Sequence, residues 1–140
     1  MLKAKDIMTE DVVVVKKNTP IYEAIKLLRE KNITGVPVVE DDMTLIGVFS
    51  EKDVISLLYY AHGDEEDKVV ADFMTHPPIH FDKNEILLNI CDCLVVHSFR
   101  RVPITSEGKL VGLISRADIV DCILHLREEN TTMLAEPQKE

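Results

Sequence analysis

This chain repeats itself in order. Asp6-Ile7-Met8-Thr9 returns 66 residues later as Asp72-Phe73-Met74-Thr75, and Gly35-Val36-Pro37-Val38 returns 66 residues later as Arg101-Val102-Pro103-Ile104. Gly47-Val48-Phe49-Ser50-Glu51-Lys52-Asp53 returns 65 residues later as Gly112-Leu113-Ile114-Ser115-Arg116-Ala117-Asp118. Three matches in one order, with a one-residue gap, set the architecture before any local propensity is weighed. They require two copies of one small unit related by pseudo-symmetry. Any binding site then exists in two versions.

Size limits each copy. The 140 residues allow one compact domain, whereas a single repeat of about 60 residues buries too little surface to be robust alone. The two copies are therefore expected to share a core. Hydrophobic residues make up 46% and charged residues 29%, an ordinary soluble balance. No apolar run approaches the ~20 residues of a membrane helix, and Met1-Leu2-Lys3-Ala4-Lys5-Asp6 lacks the apolar stretch of a signal peptide. A cytoplasmic protein with no membrane association is the expectation. The net charge of -9 argues against nucleic acid, whose binding rests on basic patches. The densest acidic run, Asp64-Glu65-Glu66-Asp67, reads as a solvated linker. Its alternative, a divalent-metal site with His62, lacks diagnostic ligand spacing, so no metal is expected. Three cysteines, Cys91, Cys93 and Cys122, read as reduced core thiols rather than a disulfide framework.

Local patterns give the same elements twice. Ala4 to Met8 reads as one helical turn. The β-branched run Val12 to Val15 has strand length. Thr19-Pro20 is read as a helix start, with Thr as cap and Pro at the first helical position. Ile21, Ala24, Ile25 and Leu28 form an apolar face, and Asn32 ends the helix. Val36–Val39 and Thr44–Phe49, joined by Glu40-Asp41-Asp42, read as a hairpin. Ser50 caps a helix to about Tyr60. In the second copy, a turn at Val70–Met74 and a strand at Ile79–Phe81 precede a helix from Asn84 to His97. Strands Val102–Thr105 and Leu110–Ser115 follow, joined by Ser106-Glu107-Gly108, then a helix from Arg116 to Arg127. The expected fold class is α/β with mixed sheets: two β-α-β-β-α units packed sheet to sheet about a pseudo-two-fold axis. The helical crossover makes the first two strands parallel and the hairpin makes the next two antiparallel. The expected boundaries are 1–60, an acidic linker at 61–68, 69–129, and a frayed tail at 130–140.

The repeated G-h-h-S-x-x-D motif, h being apolar, stands where a strand becomes a helix. One reading is structural, since Ser-x-x-Asp is close to the Ser-x-x-Glu capping box. The other is functional. Free N–H groups at a helix start attract an anion such as phosphate, and Ser50 or Ser115 adds a donor. Asp53 or Asp118 accepts hydrogen bonds but repels phosphate, so it suits the neutral diol of a ribose. Arg101 stands where the first copy has Gly35. A guanidinium there can clamp phosphate; the alternative is a solvated arginine. Gly35 can let backbone approach a ring. Pro37 and Pro103 lack an N–H and suit an edge strand or strand start. Lys52 and Arg116 read as exposed.

At these residues the chain resembles a tandem pair of cystathionine-beta-synthase (CBS) domains, a Bateman module, here as a stand-alone pair. The resemblance covers residues 3 to 127 and rests on the Asp-h-Met-Thr openings, GVPV and RVPI, and GVFSEKD and GLISRAD. It implies a non-catalytic regulatory module that binds adenosine-containing ligands in the cleft between the two units. Asp53 and Asp118 would bind ribose hydroxyls, and Ser50 and Ser115 phosphate or nearby oxygens. At Gly35 and Arg101 backbone would meet the base and an arginine would reach phosphate. Val36, Pro37, Val102 and Pro103 would wall the adenine, with Thr9 and Thr75 near the cleft entry. AMP, ADP or ATP is the expected ligand, with NAD and S-adenosylmethionine as alternatives. The helices carrying Val54-Leu58 and Ile119-Leu124 would form a homodimer, and the regulated protein would be a separate chain. The alternative is a structural dimerisation or docking module whose caps are only caps. No catalytic residue is expected: there is no Ser–His–Asp order, metal-ligand cluster or glycine-rich phosphate loop. His76 and His80 read as loop residues, and His97 and His125 as helix-end residues.

Overall fold

A computed structural model of the chain describes residues 1–60, 66–98 and 100–129. His62, Asp64, Glu65 and the tail from Asn130, all singled out in the sequence, lie outside the described residues. Two compact units emerge: Val13–Pro78, and a second made of Met1–Val12 with Ile79–Glu140. Repeats and units are thus offset by one segment. The opening Asp6–Thr9 of the first repeat belongs to the unit of the second, and Asp72–Thr75 belongs to the unit of the first.

The Val13–Pro78 unit contains β1 (Val15–Lys16), α2 (Ile21–Glu30), β2 (Gly35–Val39), β3 (Leu45–Ser50) and α3 (Glu51–Ile55); a short helix, α1 (Ala4–Ile7), precedes them in the chain and belongs to the other unit. Single 3₁₀ turns follow α3 at Ser56–Tyr59 and precede Phe73 at Val70–Asp72. The strand order is β1-β2-β3, with β1 parallel and β3 antiparallel to β2. The other unit repeats the plan with β4 (Phe81–Asp82), α4 (Leu87–Val96), β5 (Arg101–Ser106), β6 (Lys109–Ser115) and α5 (Arg116–Glu128). Its order is β4-β5-β6, again parallel then antiparallel. The one-residue gap between repeats falls in the hairpins. Between Val39 and its partner Leu45 the chain has one residue more than between Thr105 and Leu110. The shorter turn places Glu107 and Gly108 at φ 53° and 81°, the left-handed pair that a two-residue hairpin requires.

Each unit has a core cluster of its own. Ile21, Ala24 and Leu28 of α2 meet Val36 and Val38 of β2, Phe49 of β3, and Val70 and Phe73. Leu87, Ile90 and Leu94 of α4 meet Ala4, Val102, Ile104 and Ile114. These are the i, i+3/i+4, i+7 positions of each helix, as the periodicity requires.

Several element ends differ from expectation, each for a local reason. Val12 to Val14 are not in a strand, because β1 pairs only through Val15↔Val38 and Lys16↔Val39. Thr19 does not cap α2. Its hydroxyl accepts a hydrogen bond from Lys16 N at 3.0 Å, closing the preceding turn, and Pro20 takes the cap position. α4 begins at Leu87 rather than Asn84, since the Asp82 carboxylate holds Asn84 N in a turn at 2.9 Å. The helix expected to run to Tyr60 changes to 3₁₀ geometry after Ile55. Asn32 does end α2. At φ 53° it occupies the left-handed C′ position. Its N–H reaches Arg29 O at 3.2 Å and Ile33 N–H reaches Leu28 O at 3.0 Å, the paired bonds of a Schellman motif.

The prolines lie in central strands, not on edges: Pro37 pairs with Val48 and Pro103 with Leu113. The reason is the direction of the ladder. Val48 exchanges both its backbone hydrogen bonds with Thr75, at 3.0 and 2.9 Å. Leu113 does so with Thr9, at 2.9 and 2.8 Å. Each proline therefore faces a non-hydrogen-bonded position of its hairpin partner. On its other side β1 and β4 are too short to reach it. No ladder bond is lost. No described helix is long and apolar enough to cross a membrane.

Candidate functional site

The β3–α3 and β6–α5 junctions are built alike. Ser50 and Ser115 occupy the N-cap positions with extended backbone. Asp53 Oδ2 accepts from Ser50 N at 2.8 Å, and Asp118 Oδ2 accepts from Ser115 N at 2.9 Å. Both serines complete a capping box with the backbone N–H of the aspartate. Ser115 Oγ accepts from Asp118 N at 3.1 Å, and Ser50 Oγ also donates to Asp53 Oδ2 at 3.2 Å. The capping reading is thus realised in both copies.

The second carboxylate oxygen turns outward from the cap. Thr75 Oγ1 donates to Asp53 Oδ1 at 3.0 Å, and Thr9 Oγ1 donates to Asp118 Oδ1 at 3.3 Å. Each threonine arrives on a segment bridged to the middle of β3 or β6. The glycine of the motif permits that approach. A Cβ on Gly47 would stand 2.7 Å from Met74 Sδ and 3.0 Å from Thr75 O, and one on Gly112 would stand 2.7 Å from Met8 Sδ and 3.0 Å from Thr9 O. The Asp-h-Met-Thr openings and the G-h-h-S-x-x-D motifs are therefore two halves of one local structure. In the sequence they stand as separate motifs. The signal was present: the Asp, Met and Thr recur alongside the Gly, Ser and Asp.

A carboxylate has about four lone-pair sites. Asp53 accepts the three bonds described above and Asp118 two, and both residues are partly exposed. Each retains capacity for an outside hydroxyl donor, which is what a ribose supplies.

Cross-strand register adds the next residue. Gly35 stands opposite Ser50, and Arg101 opposite Ser115. Arg101 is partly buried, and its Nε is fully enclosed without a hydrogen-bond acceptor among the described residues. An enclosed N–H left unsatisfied costs about 1–3 kcal/mol. An incoming oxygen acceptor would remove that cost, so these residues fit an anionic ligand group. Arg116 is not simply exposed: its guanidinium donates to the carbonyls of Leu94 and His97, both at 3.0 Å, and so caps the end of α4. Val36 and Val102 are 1% exposed and belong to the two cores. Pro37 and Pro103 alternate with them across the strand and are also buried.

The remaining candidate chemistry is quiet. Cys91, Cys93 and Cys122 pack against the core of their unit, and burial pushes all three thiols above the usual range. For Cys91 the nearby Asp92 carboxylate and Cys122 add to that rise. No group of three metal-ligating side chains occurs among the described residues.

Comparison with known proteins bears on the whole chain. The family model described as CBS domain matches residues 4–60 and 70–125. An uncharacterised protein of Methanocaldococcus jannaschii is 37% identical over 116 residues, which cover 83% of this chain and 41% of that protein. The chloroplastic CBS domain-containing protein CBSX2 of Arabidopsis thaliana is 30% identical over 153 residues, covering 89% of this chain and 64% of that one. The chain thus spans less than two thirds of either relative. The crystal structure of CBSX2 in complex with AMP is similar with a TM-score of 0.82 and 34% identity, over 91% of this chain and 99% of that one. The CBS domain pair of protein MJ0100, solved with 5′-methylthioadenosine and S-adenosyl-L-methionine, has a TM-score of 0.73 over 89% and 98% of the two chains. At 22% identity that likeness is one of fold.

Proposed function

The chain belongs to the CBS-domain family, and on that premise we propose that it is a non-catalytic regulatory module that binds adenosine-containing ligands and signals their presence to a partner protein. The observation that carries this reading is the duplicated Thr–Asp–Ser cluster: Thr75, Asp53 and Ser50 in one unit, Thr9, Asp118 and Ser115 in the other. Each presents a carboxylate with spare acceptor capacity beside helix-start donors. The pairing suits ribose hydroxyls and a neighbouring phosphate. The AMP complex of the similar CBSX2 supports an adenine nucleotide, with AMP, ADP or ATP first and NAD or S-adenosylmethionine as alternatives. Three free thiols fit a reducing, cytoplasmic setting.

Thermal unfolding against each of these compounds tests the reading. A ligand at a hundred times its dissociation constant adds about 2.7 kcal/mol, several degrees for a chain of this size. A rise with at least one adenosyl compound is expected. No rise with any, in protein stripped of co-purified nucleotide, would favour the second reading. That reading, a structural docking module, draws on the same aspartates, since both are already engaged as caps.

Self-association belongs to the proposal. Val54, Leu57 and Ile119 turn towards the cores of their units. Their neighbours do not: Leu58 and Tyr59 are 83% and 89% exposed, and Val120, Ile123 and Leu124 are about half exposed. Apolar rows of this kind mark contact surfaces, and we assign them to a homodimer. Leu58→Glu together with Ile123→Glu is expected to convert a dimer into a monomer in sedimentation or light scattering. A wild-type chain that runs as a monomer at tens of micromolar would remove this part of the proposal.

A further inference from the structure

We infer that Met8 and Met74 are sites of reversible oxidation by a peroxide, and that their conversion to sulfoxides disables the aspartate beside each. The inference rests on the adenosyl-ligand reading and adds a signal that closes the same site. Both residues lie in the repeated Asp-h-Met-Thr segment, and each sulfur is seated on the glycine of the strand that the segment joins. The atoms nearest a Cβ on Gly47 would be Met74 Sδ at 2.7 Å, Thr75 O at 3.0 Å and Met74 Cγ at 3.2 Å. At Gly112 they would be Met8 Sδ at 2.7 Å, Met8 Cγ at 2.9 Å and Thr9 O at 3.0 Å. No further atom fits between sulfur and strand. The same side chains pack against the apolar core of their unit, and both residues are only partly buried, so a small oxidant reaches them. In the oxidation a sulfur lone pair attacks one peroxide oxygen, and the S–O bond forms as the O–O bond breaks. Hydroxide leaves and takes the proton of the transferred oxygen as water. The thioether is oxidised and the peroxide reduced. The product is bulkier and polar. Neither the glycine backbone nor the apolar core accommodates it, and it gains full hydration only by lifting off its seat. The next residue moves with it. Thr75 exchanges its backbone bonds with Val48 and donates to Asp53, and Thr9 does the same with Leu113 and Asp118. A lifted methionine therefore takes away the donor that aims each carboxylate. The cysteines are held back from the same oxidant, since burial pushes all three thiols up and leaves little thiolate.

Calorimetry with AMP and with S-adenosylmethionine, before and after hydrogen peroxide, tests this on wild type and on the double variant Met8→Leu, Met74→Leu. Peptide mass mapping places each added oxygen. Wild type is expected to take up an oxygen at Met8 and at Met74 and to lose affinity about tenfold, within the range for groups coupled through one hydrogen-bond network. Methionine sulfoxide reductases for both epimers are expected to restore that affinity. The leucine variant, judged against its own untreated state, is expected to keep its affinity through the same treatment. It retains the cysteines and the exposed Met1 and Met43, so oxidation elsewhere is matched. Should that variant fail to fold by circular dichroism, the wild-type time course decides: the loss tracks the mapped oxygen at Met8 and Met74 and is reversed by the reductases. Affinity unchanged when both methionines are oxidised, an equal loss in the leucine variant, or Met8 and Met74 left unoxidised when Met43 is fully converted overturns the inference while the adenosyl reading stands. Untreated wild type that binds neither compound at millimolar concentration overturns both.

Discussion

Phe49→Ala is expected to lower the stability of the Val13–Pro78 unit by about 3–5 kcal/mol, the usual cost of emptying a large buried aromatic site. Phe49 is fully buried, stands opposite Val36 in the hairpin, and is surrounded by core residues from α2, β1 and the segment around Phe73. Those neighbours come from three separate stretches of chain. No single one can move inward to fill the space without giving up its own contacts, so the cavity persists. Urea unfolding should show the midpoint falling by more than about 1 M, given m-values of roughly 1–3 kcal/mol/M for small proteins. A fall of a few tenths of that would mean that α2 collapses into the space. The effect also reaches the site. Phe49 immediately precedes Ser50, so disorder in β3 displaces the helix start that holds Asp53.

The repeat made most of this legible in advance. Ordered matches located the strand-to-helix junctions, and the apolar spacing of Ile21, Ala24 and Leu28 identified the face of α2 that is buried. Local rules failed where a tertiary partner decided the outcome. Val12 to Val14 have strand propensity but no partner strand long enough to use it. Pro37 and Pro103 break an edge rule only formally, because their hairpin partners send their backbone bonds to Thr75 and Thr9 instead. Arg116 is exposed, as the sequence implies, but nothing in its neighbourhood of sequence marks Leu94 and His97 as acceptors about twenty residues away. The offset between repeat and unit is of the same kind. Sequence order places Asp6–Thr9 at the head of the first repeat, but their glycine, Gly112, lies in the second. Identical motifs cannot say which copy of a glycine a given methionine will meet. For the site, residue types named Ser, Asp and Arg101. The threonine contact, which aims the carboxylate, required the fold.

The double variant Asp53→Asn, Asp118→Asn is expected to reduce adenosyl-ligand affinity about 10- to 150-fold at each site, since each loses a charged acceptor worth about 1.5–3 kcal/mol to a bound hydroxyl. Asparagine separates binding from capping. Its oxygen can still accept from Ser50 N or Ser115 N, now at 2.8 and 2.9 Å. Its amide can donate to the hydroxyl of Thr75 or Thr9, which is able to accept. Towards the ligand, however, a ribose hydroxyl that donated to a carboxylate now meets a donor. Fold is kept and recognition is lost. Asp→Ala at the same positions removes both, with about 0.5–2 kcal/mol per lost cap. The two readings of the motif therefore diverge in one set of measurements. A ligand sensor loses affinity with asparagine while its melting temperature without ligand barely moves. A purely structural module has no affinity to lose, and only alanine changes its melting temperature. Asparagine variants that bind as tightly as wild type would show that the aspartates serve the helices alone and that the ribose is held elsewhere.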